Sequence, residues 1–377
     1  MEKRKGFADS AIFVGKNLIH EIMDYSQISA VYQQFAKQFT IESISVPCPI
    51  FKPYSSFDKK IESKYMTNRD GTESCAYLLF DMHMVDTLAE FLEIYFNDRE
   101  YSRLSTRLAN RLAAEKLYVE SNMHGALYFA YEYYVTEGLT YFSKDRVKKI
   151  AAYNLIQEEF TMCHELSHWC FFRCNQEEKE RQLMKKRKEW GEYFAVLVSK
   201  RACKGDVNGT YLMKRMQDSI LSNDRYVEEC VCDTFPTIFL MENDSRCSRI
   251  DIALASFLTI QSMQMLAFVE DLIDLNQSGD IGQVAQEFSF LSTLRMLVFR
   301  EYIHNFLFTN YPDEVDDFEK ALIDCKEKFD QRVQAGIMEV LNVAKDKLFQ
   351  LNRLDPVNIW NKNWNEMNNV IRRILLE

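Results

Sequence analysis

From Ile150 to Cys170 the chain contains no glycine and no proline. Its apolar residues, Ile150, Leu155, Ile156, Phe160, Met162, Cys163, Leu166, Trp169 and Cys170, recur at mixed spacings of three and four. That rhythm predicts an amphipathic helix with a buried side. Inside it lies the stretch Thr161-Met162-Cys163-His164-Glu165-Leu166-Ser167-His168-Trp169-Cys170. On a helix His164 and His168 are one turn apart, so both imidazoles leave the same face. Two histidines turned into a packed side have to be paired or liganded, because a buried polar ring without a partner is costly.

The order His164-Glu165-x-x-His168 is the H-E-x-x-H pattern, in which two histidines bind one zinc ion and the intervening glutamate serves as general base. Glu165 is poorly placed to be a ligand itself. It is well placed to hold and deprotonate a metal-bound water, which is the task a hydrolytic zinc site gives its base.

A catalytic zinc takes three protein ligands and leaves one position open, so the chain must supply one more. Tyr226-Val227-Glu228-Glu229-Cys230-Val231-Cys232-Asp233-Thr234-Phe235 is the best source. On a helix Glu229 and Asp233 share a face, so Glu229 can bind the metal while Asp233 accepts a ligand histidine's free N–H. Val227, Cys230, Val231, Cys232, Phe235, Ile238, Phe239 and Leu240 make this segment largely apolar, and carboxylates on a buried helix need partners. Glu192 and Glu228 are rivals for the third position. A thiolate from Cys163, Cys170, Cys230 or Cys232 is a further alternative.

Composition sets the surroundings. Only 11 Gly and 6 Pro occur in 377 residues, and 47% of the residues are hydrophobic. Long helices around a substantial core follow, and the fold class expected is mainly α (α+β) with a small sheet. The net charge of -10 speaks against nucleic acid as a partner, since phosphate binding needs a basic surface. The 10 cysteines form no C-x-x-C pair and read as reduced, buried thiols. Lys16, His20 and Glu21 break up the apolar residues near Met1, which predicts a cytoplasmic protein without a secretory signal.

Helical periodicity is expected in residues 7–45. Residues 46–53 carry Pro47, Pro49 and Pro53 and read as a loop, as does the charged stretch from Asp58 to Ser74. Cys75 to Asp81 reads as a buried strand, followed by helices from Asp86 to Phe96 and Tyr101 to Val119. The aromatic run Leu127 to Val135 admits strand or helix, and it and Gly138 to Phe142 are the candidates for a strand that aligns an extended substrate. Gln176 to Glu189 predicts an exposed, ion-paired helix and Ala202 to Thr210 a turn. Ile252 to Val269 carries no formal charge but includes Ser256, Thr259, Gln261, Ser262 and Gln264. It reads as a buried helix rather than a membrane span. Helices are expected over Gln286 to Phe308, Asp313 to Leu351 and Asn363 to Leu376.

Taken together, His164-Glu165-x-x-His168 and Glu229-x-x-x-Asp233 resemble the paired motifs of gluzincin metallopeptidases. Those relatives are the ImmA/IrrE-like group, the membrane-bound HtpX-like and CAAX prenyl protease group and, at a further remove, the phage-exclusion peptidase Lit. The resemblance covers residues from about 150 to 242. Pro236 interrupting the second helix, Cys232 in place of a small residue, and a long charged gap between the motifs are departures from the pattern. The resemblance implies a zincin-like core at 121–245, between an N-terminal α/β region at 1–120 and a helical C-terminal region at 246–377 packed on it. It also implies a Zn2+-dependent endopeptidase acting on a protein or peptide substrate, with Glu165 catalytic, His164, His168 and Glu229 binding the metal, and Asp233 supporting a ligand. An oxyanion donor is still required, and His124, Arg300, Tyr302 and His304 are the candidates. Two other readings stay open, a non-catalytic zinc-stabilised scaffold or sensor that binds a protein partner, and a membrane-embedded peptidase.

Overall fold

The computed structural model describes residues 49–67, 74–136, 142–173, 176–275, 281–342 and 364–376. The protein is mainly helical with one small sheet. The sheet comprises β1 (Ile50–Tyr54), β2 (Glu62–Thr67) and β3 (Ser74–Asp81) in the order β1-β3-β2, with β1 parallel and β2 antiparallel to the central β3. Both loops expected around β1 and β2 are thus corrected over their described parts. Pro53 is tolerated because β1 is an edge strand, where a missing N–H need not break the ladder. The charged residues of β2 likewise suit an edge. The helix expected at 7–45 lies outside the described residues.

Eight further elements build the body: α1 (Met82–Phe96), α2 (Tyr101–Val119), α3 (Met123–Val135), α4 (Lys144–Arg173), α5 (Gln176–Cys203), α6 (Val207–Ser222), α7 (Asp224–Asn243) and α8 (Arg249–Leu275). Then come α9 (Ile281–Asn310), a 3-10 turn (Pro312–Glu314), α10 (Val315–Phe329), a π-helical turn (Asp330–Gln334), helical residues 335–342, and α11 (Trp364–Leu376). Short polar residues start several helices. Asp81 accepts from the His83 N–H, Asn122 from Gly125, Asp206 from Gly209 and Asn223 from Arg225, each satisfying a backbone donor that the helix cannot.

The aromatic run at 127–135 is helical, resolving that ambiguity against a strand, and of the other candidate Gly138 to Tyr141 lie outside the described residues. The turn expected over Ala202 to Thr210 shrinks to three residues, because Asp206 caps a new helix that draws Gly209 into its first turn. The only left-handed glycine among the described residues is Gly205, at φ 70°, in that turn.

The motif helix α4 lies at the centre, packed against α1, α7, α8 and the sheet through β2 and β3. Phe160, Leu166 and Trp169 are fully buried on it. Burying one such side chain stabilises by about 1.5–3 kcal/mol, so this face holds α4 in one orientation. Helix α8 packs against α2, α4, α7 and α9. It is long and apolar enough to cross a membrane, but most of its apolar window is buried inside the fold.

A buried ionic network joins the sheet to α1 and α2. Glu115, with no exposed surface, meets Lys59 Nζ at 3.0 Å, His83 Nε2 at 2.8 Å and Arg111 Nε at 3.4 Å. Burial opposes ionisation of Glu115, but Lys59, His83 and Arg111 outweigh it and hold the carboxyl well below the usual range.

Candidate metal centre

Helix α7 runs antiparallel beside α4, so that His164 lies opposite Cys232 and His168 opposite Glu228. The four-residue spacing of the histidines is matched by the four-residue spacing of their partners. His164 Nδ1 lies 3.0 Å from the Cys232 carbonyl, and His168 Nδ1 lies 3.1 Å from Glu228 Oε1. A carbonyl and a carboxylate only accept, so both Nδ1 atoms carry the hydrogen. In the neutral rings that a metal site requires, both Nε2 atoms then carry lone pairs.

Those two Nε2 atoms face each other at 3.2 Å, and Glu229 Oε2 lies 3.8 Å from each. The circle through these three atoms has a radius of about 2.1 Å, which falls within the 2.0–2.2 Å bond lengths of zinc to histidine and carboxylate. Among the described residues this is the one cluster of three or more histidine, cysteine or acidic groups able to hold a metal ion. Lone pairs converging this closely repel one another unless a proton or a metal cation sits among them. The donor set of two imidazoles and one carboxylate suits zinc.

The surrounding charges favour a cation at this point. Burial opposes the charged form of His168, yet Cys232, Glu228 and Glu229 outweigh it and raise the pKa far above the histidine range, so without a metal a second proton on His168, shared with His164 Nε2, supplies the positive charge that a bound cation would replace. Burial also opposes ionisation of Glu229, but His168, Arg295 and His164 hold it low. Burial raises the Glu165 carboxyl, against the opposing pull of His164 and His168. That direction suits a carboxylate that must take a proton from water, since a higher pKa makes it a stronger base.

Several expected roles shift. Glu228 lies outside the cluster; it is hydrogen-bonded to His168 and is itself held by Lys179 Nζ at 2.8 Å. Glu192 is exposed on α5 and outside the cluster. No thiol belongs to the cluster, and burial pushes the Cys232 thiol up to about 12, so it stays protonated. Asp233 Oδ1 lies 3.4 Å from His164 Nδ1, farther than the Cys232 carbonyl. Its main partner is Arg295 of α9, which donates from Nε at 2.6 Å and from Nη2.

Pro236 does not interrupt α7, which continues through it to Asn243. Having no N–H, it leaves the Cys232 carbonyl without its usual helical donor, and His164 takes that place. Sequence reasoning missed this use of Pro236, although a proline four residues after a carbonyl is a legible sign of a freed acceptor. It also missed Arg295, which no local pattern marks.

Of the oxyanion candidates, Arg300 and His304 are bound to Glu319, and the Tyr302 ring lies under Lys186. Neither these three nor His124 lines the cavity beside the cluster, whereas Arg295 does. The aromatic run at 127–135 supplies no strand; β2 and β3 are the strands that pack on α4, and Ser63 Oγ of β2 donates to the Glu165 carbonyl at 3.3 Å.

The chain significantly matches no protein-family model, no curated protein and no solved structure.

Proposed function

We propose that the chain is a cytoplasmic zinc-dependent endopeptidase with a zincin-like core, hydrolysing a peptide bond in a protein substrate. The observation that carries this reading is the triangle of His164 Nε2, His168 Nε2 and Glu229 Oε2, with Glu165 next to it on the same helix. Zinc, when bound there, supplies the Lewis acidity that activates water and polarises a carbonyl.

The chain's own residues do the rest. Glu165 takes a proton from the attacking water and returns it to the departing amine, so that the hydroxyl joins the carbonyl carbon as the C–N bond breaks. Glu228 and the Cys232 carbonyl fix the tautomer and tilt of the two imidazoles. Asp233 occupies Nε and Nη2 of Arg295, which leaves Nη1 for the developing oxyanion. Among the described residues β2 pairs with β3 alone, so its outer edge suits an extended peptide held by main-chain hydrogen bonds. The described cysteines that are free thiols, among them exposed Cys203, fit a reducing compartment.

Elemental analysis of the purified protein, beside hydrolysis of a proteome-derived peptide library, tests the reading. One zinc per chain is expected. Glu165→Gln should retain it and lose nearly all hydrolysis, while His164→Ala should lose the metal. A Glu165→Gln protein that still cleaves the same peptides refutes the assignment, and a wild type that cleaves nothing leaves a zinc-stabilised scaffold.

A further inference from the structure

A cavity of about 580 Å³ opens directly beside the cluster, bounded by His164, Glu229 and Arg295 on one side and by α8 and α9 on the others. Its volume lies in the range of sites that enclose small ligands or substrate side chains. The lining is mixed: Asn223, Arg225, Asp271 and Glu287 contribute polar and charged groups beside an apolar part built by α8 and α9. Met263 and Phe268 come from α8, and Phe288, Leu291 and Leu294 from α9, with the Phe268 and Phe288 rings stacked at 4.3 Å. These residues belong to the C-terminal helices, for which the motif chemistry supplies no task.

A buried amide lies within that apolar part. Gln264 is only 9% exposed and lines the cavity; its Oε1 accepts from Gln261 Nε2 at 3.2 Å, and Gln261 Oε1 in turn accepts from Ser292 at 2.9 Å. This chain of bonds orients the Gln264 amide and leaves its nitrogen as a donor for a carbonyl. An apolar wall with a fixed amide donor, flanked by charged groups and next to the proposed hydrolytic centre, matches a peptide residue with a bulky side chain better than a purely hydrocarbon ligand.

We propose that α8 and α9 form a specificity pocket that admits a large aliphatic or aromatic side chain of the peptide beside the scissile bond, with Gln264 reading its backbone. The proposal rests on the peptidase reading for its substrate class, and the experiment separates the two.

Ala267 lines the cavity from an exposed position on α8, so Ala267→Trp fills the space without disturbing the core. Fluorescence anisotropy is measured on zinc-bound Glu165→Gln protein with two fluorescein-labelled degenerate heptapeptide pools, one with a fixed central Phe and one with a fixed central Ala. The Phe pool is expected to bind at least tenfold more tightly, and Ala267→Trp in the same background should bring the ratio close to one with bound zinc and circular dichroism unchanged. A ratio near one before the substitution, or a preference that survives it, overturns the pocket. Binding of dodecanoate in place of both pools would assign the cavity to an acyl chain and overturn it as well. Cleavage by the wild-type protein is read separately: Phe preference without cleavage keeps the pocket and removes the peptidase, and cleavage without preference removes the pocket alone.

Discussion

Pro236 stands one helical turn beyond Cys232, and the Cys232 carbonyl accepts the Nδ1 hydrogen of His164 at 3.0 Å. In an unbroken ladder the N–H of residue 236 would take that carbonyl. Proline removes the competitor, so a defect in one helix becomes the anchor for a histidine on another.

Replacing Pro236 by Ala restores the competing donor. The helix itself should gain, since proline in a helix interior is unfavourable by about 3 kcal/mol. Zinc affinity should nonetheless fall by about tenfold, because His164 loses a fixed orientation. Chelator competition beside thermal melting checks the opposite signs of the two effects; unchanged zinc affinity would show that the freed carbonyl has no bearing on the ligand.

Glu228 does for His168 what the carbonyl does for His164, and it bridges to Lys179 of α5. Glu228→Ala should weaken zinc binding by about 10–100-fold with little change in helical content. Glu229→Ala should remove binding far more completely, because it deletes a ligand rather than a ligand's support. Equal losses for the two variants would contradict this division.

Asp233 is almost completely buried, and Arg295 is 15% exposed. Burial opposes ionisation of Asp233, and Arg295 with His164 overcomes it to hold the carboxyl below its usual range. Arg295→Met leaves that carboxylate buried and short of its cation, which should destabilise by about 3–5 kcal/mol. Adding Asp233→Asn should recover part of the loss, a coupling that a double-mutant cycle in urea measures directly.

Glu158 is 8% exposed, and its Oε2 has no hydrogen-bond partner. Burial first, then Glu159 and Asp86, push its carboxyl up to about 7. A raised carboxyl is neutral when folded at pH 5 but must ionise in a buried place above pH 7. Its unfavourable effect therefore grows from the ordinary value of 4.5 up to about 7 and persists at higher pH. Glu158→Gln should stabilise by roughly 2–3 kcal/mol at pH 8 and very little at pH 4, which paired denaturant titrations would read. Equal effects at both pH values would contradict the assignment.

Much of the architecture was legible because helices announce themselves locally. The spacing of apolar residues around His164 predicted α4, and Tyr101 to Val119 coincides with α2. Strands β1 and β2 were illegible for the converse reason. Proline and charge argue against a central strand, but edge strands accept both, and only the neighbouring β3 makes them strands at all.

The amino-acid order alone set which rings share a face of α4, that Glu165 lies between them, and that Glu229 and Asp233 repeat along one side of another helix. Those are consequences of 3.6 residues per turn, which needs no knowledge of neighbours. Tertiary packing decided the rest: that α7 lies antiparallel to α4, that Glu228 and a carbonyl freed by Pro236 turn both Nε2 atoms inward, and that Arg295 arrives from α9. These contacts span 60–68 residues of chain, and side chains so far apart meet only through the core that brings their helices together.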